Sequence, residues 1–295
     1  MDIKKWLNEN TDSLSGKNVA LTGSTGGIGK ELCKYLLALG ARLIMVDRSR
    51  EKQAALVEEL KAEYPSAEIE CLICNLEDTE SAVLTARKLD LLGIDAFINN
   101  AGAYKISRHK CDNGLDNSFV INFLSPYAMI RELLPGLDKR GGRVVVVGSI
   151  AHNYSKLDTA DIDFSTRKKA SLVYGNAKRF LMFSLYPLFE GKRASLAVTH
   201  PGITVTAMTS HYPRLIYALI RHPMRIIFMT PRKAALSILR GLFDKTEACE
   251  WIGPRLFNIW GKPSKKVLKT CCSDEVSEIQ SIAEGIYLKI SSSTT

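Results

Sequence analysis

The chain has 295 residues, of which 46% are hydrophobic and 24% are charged, proportions typical of a folded globular protein. Forty Lys and Arg against 31 Asp and Glu give a net charge of +9, which suits an anionic cofactor, nucleic acid or an acidic membrane surface without selecting one of them. The sequence contains no run of 18 uncharged apolar residues and no N-terminal apolar run of signal-peptide length, so we expect a chain that does not span a membrane.

Seven cysteines are scattered along the chain, unlike the dense, even-numbered set that crosslinks a small secreted domain. We therefore expect a reducing compartment and a cytoplasmic location. Cys71 and Cys74 lie in AEIECLICNL, which we interpret as a buried strand, and no second Cys or His pair follows at the spacing of a zinc site. We interpret both as buried thiols and predict no metal site.

Short β-rich segments alternate with helical patterns from Lys17 onward. The predicted strands are NVALTGS, ARLIMVD, AEIECLICN, IDAFINN, GRVVVVGS and ASLAVTHPG, and a helical pattern follows each of them. Strands this uniformly apolar are typical of a parallel sheet with helices on both faces. We predict an α/β fold, a single doubly wound Rossmann domain over residues 1–295, because neither a repeat nor a linker divides the chain.

The glycine-rich stretch TGSTGGIG, residues 22–29, joins the first predicted strand to the first helix of the alternating pattern. Glycines there allow a tight turn and close approach of the backbone, and the free N–H groups at a helix start can hold a pyrophosphate. Asp47 ends the second strand, eighteen residues after Gly29, close to where an acidic residue meets an adenosine ribose. The pattern predicts a dinucleotide site.

Tyr174 and Lys178 stand four positions apart in SLVYGNAKRF, which places a phenol and an ammonium on one face of a predicted helix. Taken alone, such a pair more often belongs to a solvated helix face. Its meaning depends on what the rest of the chain supplies.

From about Lys17 to about Thr206 the chain resembles the short-chain dehydrogenase/reductase family. The motifs that carry the resemblance occur in the family's order, and they are Thr22-Gly23-x-x-x-Gly27-x-Gly29, Asn99-Asn100-Ala101-Gly102, Asn122 in a helix, Ser149 after the fifth strand, Tyr174-x-x-x-Lys178, and Pro201-Gly202-Ile203-Thr204-Val205-Thr206.

The resemblance implies a catalytic set made of Asn122, Ser149, Tyr174 and Lys178. A free tyrosine has a pKa of about 10 and is a poor base near neutrality, but a positive charge one helical turn away favours its phenolate. Tyr174 would exchange a proton with an alcohol or carbonyl oxygen while hydride passes to or from a nicotinamide, and Ser149 would hydrogen-bond that oxygen. Lys178 would also hold the nicotinamide ribose, and Asn122 would keep a water in line for proton relay.

The resemblance also implies a set of cofactor-binding residues. These are Thr22, Gly23, Ser24, Thr25, Gly27, Ile28, Gly29, Asp47, Arg48, Asn75, Leu76, Asn100, Ala101, Gly102, Tyr174, Lys178, Pro201, Gly202, Thr204 and Thr206. Asn75 stands where the family often has Asp. Asp47 favours NAD because its charge repels a 2′-phosphate, whereas Arg48 favours NADP because it can pair with that phosphate. We expect the carboxylate to prevail, so that NAD is preferred over NADP. His200, on an apolar strand, is interpreted as a core histidine rather than a ligand.

Residues 207–229 are interpreted as the substrate-binding segment. Apolar side chains, among them Leu215 and Ile216, recur there at helical intervals, with Arg214 and Arg221 on the other side. Three interpretations stay open, namely a helix packed on the domain, a lid over an apolar substrate, and a shallow contact with a membrane surface. In the C-terminal extension, residues 250–295, EWIGPRLFNIWGKP weakly resembles the retinol-dehydrogenase-like branch of the family.

We therefore predict an NAD(P)-dependent oxidoreductase that interconverts an alcohol and a carbonyl on an apolar substrate of retinoid, steroid, lipid or small-ketone type. The alternative is a dinucleotide-binding sensor or scaffold with little turnover, which would not need the full catalytic set. A nucleic-acid partner is disfavoured, because no recognised binding module is present and the basic residues are dispersed. Peripheral membrane contact stays open, and the resemblance to the family leaves open a homodimer through the helices around the fourth and fifth strands.

Overall fold

A computed structural model describes residues 2–204 and 229–291. Its strands are β1 (Asn18–Thr22), β2 (Arg42–Asp47), β3 (Ile69–Ile73), β4 (Ala96–Asn99), β5 (Arg143–Val147), β6 (Ser195–Thr199), β7 (Glu250–Leu256) and β8 (Trp260–Val267). Its α-helices are α1 (Ile3–Asn10), α2 (Gly27–Ala38), α3 (Arg50–Glu63), α4 (Thr79–Leu91), α5 (Asn117–Phe119), α6 (Ser125–Arg140), α7 (Ala170–Leu188), α8 (Pro231–Arg240) and α9 (Ser273–Ser291). A π-helical turn, Val120–Leu124, joins α5 to α6, and a 3₁₀ helix, Ile150–Tyr154, follows β5.

The strands form one sheet in the order β3-β2-β1-β4-β5-β6-β7-β8. Seven strands run parallel, and β8 pairs antiparallel with β7 through a tight hairpin. The chain reverses its direction of progress across the sheet between β3 and β4, so a crevice opens at the carboxyl ends of β1 and β4. The predicted doubly wound α/β fold is confirmed, while the β7–β8 pair is an addition that the strand patterns did not predict.

Successive residues of each strand point to opposite faces of the sheet, and their side chains contribute to two apolar cores, one on each face. On one face, side chains such as Phe97 and Val144 pack with buried residues of α4, α6, α7 and α9. On the other face, side chains such as Leu21 and Val145 pack with α1, α2, α3 and α8. Because both faces are covered, the central strands are apolar throughout, as expected for a parallel sheet.

The prediction of a buried strand with two buried thiols at Cys71 and Cys74 was wrong for Cys71. β3 lies at the edge of the sheet and pairs only with β2, so Cys71 is exposed, whereas Cys74 beyond the strand end is buried. Cys249 and Cys271, at the two ends of the β7–β8 hairpin, form a disulfide, a pairing that the sequence analysis did not predict.

Within residues 2–204 and 229–291, every helix is too short or too polar to span a lipid bilayer. The same ranges hold no cluster of three or more His, Cys, Asp or Glu side chains that could bind a metal ion.

Candidate functional site

The glycine-rich loop after β1 adopts a shape that side chains would prevent. Gly23 has φ +69°, and a Cβ there would lie 2.9 Å from the Cα of Ala101. A Cβ on Gly29, in the first turn of α2, would overlap the Gly23 carbonyl oxygen. The loop therefore folds tightly against the start of α2, where free backbone N–H groups and the helix dipole favour an anionic ligand.

Thr22 and Asn100 join this loop to the end of β4. The Thr22 Oγ1 accepts hydrogen bonds from the backbone N–H groups of Asn100 (3.1 Å) and Ala101 (3.0 Å). In return, the Asn100 Nδ2 donates to the carbonyl oxygens of Thr22 (3.0 Å) and Gly23 (3.1 Å). The two loops thus form one hydrogen-bonded floor of the crevice.

A cavity of about 460 Å³ lies above this floor, at the carboxyl ends of β1, β2 and β4. Most of the predicted cofactor-binding residues line it, namely Thr22, Gly23, Thr25, Gly27, Ile28, Gly29, Asp47, Arg48, Asn75, Leu76, Asn100, Ala101 and Gly102. Ser24 does not line the cavity, because its side chain is buried and donates to Asp47.

Asp47 is held by several donors at the end of β2. Its Oδ1 accepts from the backbone N–H (3.1 Å) and the hydroxyl (2.9 Å) of Thr25, and its Oδ2 accepts from the Ser24 hydroxyl and from Gln53 Nε2 (3.4 Å). With both oxygens bonded and only 5% of the residue exposed, the carboxylate has one fixed orientation in the cavity wall.

Asn122 lies in the π-helical turn, a deviation that is frequent at functional sites. Its Oδ1 accepts from the Ala103 N–H (2.9 Å), and its Nδ2 donates to the carbonyl oxygens of Ala103 (2.8 Å) and Ser118 (2.8 Å). The fully buried amide therefore clamps the chain directly after the Asn-Asn-Ala-Gly motif.

Lys178 reaches the same point from α7. Its Nζ donates to the Val147 carbonyl oxygen at the end of β5 (2.8 Å) and lies 5.8 Å from the ring centroid of Tyr174. A Cβ on Gly102 would stand 2.9 Å from Asn122 Oδ1 and 3.5 Å from Lys178 Nζ, so a glycine leaves room for both. Burial of the ammonium lowers the pKa of Lys178 to about 8.

Tyr174 lies beside Ser149 because α7 packs directly against the 3₁₀ helix. A Cβ on Gly175 would overlap the Ala151 carbonyl oxygen, so glycine is required for this close approach. Burial raises the pKa of Tyr174 to about 12, against the opposing effect of a hydrogen bond with Ser149. The ring of Tyr104 meets Tyr174 edge-on, with centroids 5.3 Å apart. Ser149 also caps the 3₁₀ helix, where its Oγ accepts from the Ala151 N–H (3.2 Å).

A family model described as short chain dehydrogenase matches residues 17–160. Human retinol dehydrogenase 14 is 29% identical to the chain over 248 residues, which cover 75% of this chain and 72% of that protein. Over these residues the chain is similar to the short-chain dehydrogenase/reductase family. Human polyprenol dehydrogenase is 27% identical over 230 residues, covering 73% of this chain and 69% of that protein.

Solved structures show the same α/β fold. An uncharacterised protein from Mycobacterium paratuberculosis aligns with a TM-score of 0.72 and 21% identity, covering 95% of this chain and 96% of that one. A 3-oxoacyl (acyl-carrier-protein) reductase from Agrobacterium tumefaciens, solved with NADP bound, aligns with a TM-score of 0.61 and 22% identity, covering 80% of this chain and 90% of that one.

The turn after β6 is the last part of the family pattern that the structure describes. Gly202 has φ +82°, and a Cβ there would lie 2.6 Å from the Ile259 carbonyl oxygen. Thr204 forms an isolated bridge with Met229. Thr206 and residues 207–228 of the expected substrate-binding segment lie outside the described residues.

His200 precedes this turn and lies in the core, where the sequence interpretation placed it. Its ring stacks on Trp251, with centroids 4.9 Å apart, and its Nε2 lies 3.1 Å from the Asn258 carbonyl oxygen. Burial lowers the pKa of His200 to about 4, so the imidazole is neutral near pH 7.

Sequence reasoning missed part of the cavity wall. Ser49 and Lys52 line the cavity beside Arg48, and Ser49 caps α3 by accepting from the Lys52 N–H. A signal for them exists in DRSREK, where a serine cap follows the second strand and a cation follows one turn later. Ala103, Ile106 and Ile121 also line the cavity. Their positions depend on how loops and helices pack in the folded protein, so no local sequence motif predicts them.

Proposed function

We propose that this chain is a short-chain dehydrogenase/reductase that interconverts an alcohol and a carbonyl on an apolar substrate, with NAD(P) as cofactor. One observation carries the proposal. Lys178 Nζ and Asn122 Oδ1 both lie close to Gly102, which lines the glycine-loop cavity, and Lys178 Nζ lies 5.8 Å from the ring centroid of Tyr174. A cavity that suits a dinucleotide, with the Tyr174–Lys178 pair next to one of its lining residues, supports hydride transfer coupled to proton transfer.

The cavity residues fit a nicotinamide dinucleotide. Glycines at positions 23, 29 and 102 allow neighbouring segments of the chain to pack closely around the cavity, and backbone N–H groups at the start of α2 suit a pyrophosphate. In the proposal Asp47 holds the adenosine ribose and Lys178 holds the nicotinamide ribose. When bound, the cofactor supplies or accepts the hydride. The proposal includes that residues 1–295 form a single dinucleotide-binding domain.

Tyr174 is the proposed proton donor and acceptor. With a pKa of about 12, its phenol is protonated near pH 7 and ready to donate to a carbonyl oxygen. In the oxidation direction the phenolate must form, and the charge of Lys178 favours it. With a pKa of about 8, that lysine is largely charged at pH 7 and largely neutral above pH 9. Ser149 steadies the reacting oxygen through a hydrogen bond.

The relatives named for retinol and polyprenol support an apolar alcohol or its carbonyl as the substrate class. For the cofactor we propose a preference for NAD. The fixed carboxylate of Asp47 lines the cavity and would repel a 2′-phosphate, whereas Arg48 and Lys52 in the same wall would attract it. The proposal holds that the buried, immobile charge outweighs the two flexible cations.

The test compares Tyr174→Phe with the matched control Tyr154→Phe, whose tyrosine is 57% exposed. Tyr174→Phe should lower turnover of long-chain apolar alcohols and aldehydes by about 100-fold or more, while dinucleotide affinity stays within about twofold. Tyr154→Phe should change neither. Near-normal turnover by Tyr174→Phe would contradict the proposal. Dinucleotide binding by the wild type without turnover of any alcohol or carbonyl tested would instead support a sensor or scaffold.

A further inference from the structure

The turn of the β7–β8 hairpin exposes a group of large apolar side chains. We call residues 255–262 the hairpin tip. Phe257 is 86% exposed, Trp260 is 52% exposed and Leu256 is 40% exposed. Leu256 and Trp260 are register partners across the hairpin, so their side chains lie on the same face of it. Exposed apolar clusters of this kind mark contact surfaces more often than single exposed residues do.

The backbone of the tip holds Phe257 in a strained conformation. Phe257 and Asn258 have φ +50° and +58°, the left-handed region that two-residue hairpin turns require and that Gly, Asn or Asp adopt most readily. A bulky aromatic residue is unfavourable there, and its exposed ring returns little packing energy to the fold. The presence of phenylalanine at this position therefore needs an explanation outside the stability of the hairpin.

The charged residues in and next to the tip along the chain are all positive. Between residues 254 and 269 the sequence contains five cations, Arg255, Lys262, Lys265, Lys266 and Lys269, and no acidic residue. Lys265 lies 4.0 Å from the Glu250 carboxylate, and Lys266 donates to backbone carbonyl oxygens and to Asn258. Arg255 and Lys262, which flank the aromatic residues on either side, are exposed. The surface thus combines aromatic side chains with cations and is complementary to an anionic partner.

We propose that the hairpin tip docks on an anionic lipid bilayer. Trp and Phe side chains partition into the boundary between headgroups and acyl chains, and neighbouring Lys and Arg side chains reach the lipid phosphates. Leu256 adds aliphatic surface, which suits acyl chains better than the stacked bases of a nucleic acid.

The hairpin tip lies close to the turn after β6, so docking of the tip would bring the proposed site near the bilayer. The Ile203 N–H donates to the Ile259 carbonyl oxygen of the tip (3.4 Å), directly after the Gly202 turn, and Met229 N–H donates to the Ile203 carbonyl oxygen (3.0 Å). The tip therefore adjoins the turn after β6, which in turn contacts Met229, the described end of the expected substrate-binding segment 207–229. Resting on the proposed function, the inference extends to substrate entry, because a docked tip would place the site next to apolar alcohols dissolved in the bilayer.

The experiment is sedimentation of the full chain with vesicles of phosphatidylcholine alone or with about 30% phosphatidylserine. The wild type should partition onto the anionic vesicles at least tenfold more strongly than onto the neutral ones. The double variant Phe257→Ser and Trp260→Ser should lose at least tenfold of that partitioning, and Arg255→Gln or Lys262→Gln about fivefold each, the contribution expected of one cation near an anionic surface.

Residues for matched control variants lie near the amino ends of the parallel strands, on the side of the sheet opposite the hairpin tip. Leu91, 88% exposed at the end of α4, provides Leu91→Ser, and the exposed Lys61 in the last turn of α3 provides Lys61→Gln. Both should sediment like the wild type. Equal losses in the controls, absence of sedimentation by a folded wild type, or an effect of the tip variants on self-association alone would overturn the inference.

Turnover measured in the same preparations separates the docking inference from the proposed function. Tip variants should keep wild-type dinucleotide affinity and turnover of a short, water-soluble alcohol, while losing activity toward a vesicle-dissolved one. An active enzyme that ignores vesicles contradicts the docking alone, and a vesicle-binding protein without turnover contradicts the proposed function alone.

Discussion

Lys178→Met should change how the stability of the protein depends on pH, and this prediction requires no knowledge of the substrate. Lys178 is 1% exposed, and its pKa falls from the ordinary 10.5 to about 8 because its ammonium is desolvated. Between these two values the unfolded chain carries a proton that the folded chain lacks. Stability rises with pH wherever the unfolded state binds more protons, so this lysine destabilises the fold below pH 8 and ceases to do so as the pH approaches 10.5.

The magnitude follows from the two pKa values. At neutral pH the buried charge lowers the free energy of unfolding by about 3 kcal/mol relative to a neutral group. Integrating the linkage relation, roughly 1 kcal/mol of this is recovered between pH 7 and pH 9. Met matches the length of the lysine stem but does not titrate, so Lys178→Met carries none of this dependence. Its loss of the hydrogen bond to the Val147 carbonyl oxygen adds an offset that does not vary with pH.

The assay is urea unfolding of the wild type, Lys178→Met and the exposed-site control Lys61→Met at several pH values from 7 to 9. Differences between variants are compared, because the cysteines with raised pKa values contribute equally to all three proteins. Over this range the free energy of unfolding of the wild type should rise by roughly 1 kcal/mol relative to that of Lys178→Met, and Lys61→Met should follow the wild type. A wild-type minus Lys178→Met difference that stays constant within about 0.3 kcal/mol would refute the reasoning.

Three further predictions concern the cavity, the cofactor and an ion pair. Gly29→Ala should weaken dinucleotide binding at least about 100-fold in a fluorescence titration, because the new Cβ would overlap the Gly23 carbonyl oxygen. The control is Gly285→Ala, at a position with open space around it. This control should stabilise α9 by about 0.5 kcal/mol and leave dinucleotide binding unchanged. Asp47→Ala should raise kcat/KM with NADPH relative to NADH at least about tenfold, and a wild-type preference for NADPH above about tenfold would contradict the NAD proposal. Glu275→Gln should lower stability at pH 7 by about 1 to 2 kcal/mol, since it breaks the ion pair with the 5%-exposed Arg179 side chain. Burial alone would raise the pKa of Glu275, but the Arg179 hydrogen bond and charge lower it, so the stability gap should close as the pH falls through that pKa in acid-unfolding experiments.

The sequence by itself determined the parts of this protein that are encoded over one turn or one strand. The glycine spacing of residues 22–29 dictates a tight strand-to-helix loop because only glycine allows the close backbone approach there. The Tyr174 and Lys178 spacing dictates a shared helical face, and uniformly apolar strands dictate a sheet covered on both sides. These features depend on backbone geometry within a few residues, so they can be predicted without knowing the neighbours.

Tertiary structure decided the features that depend on which segments become neighbours. Cys71 is exposed because β3 ends the sheet, and strand order is not written into any single strand. The fixed orientation of Asp47 comes from Ser24 and Thr25, more than twenty residues away, and the lowered pKa of Lys178 comes from burial beneath the end of β5. The exposure of the aromatic side chains at the hairpin tip depends on the pairing of β7 with β8, which places these residues in a turn at the surface. Pairing and burial are long-range outcomes of packing, and a local pattern carries no record of them.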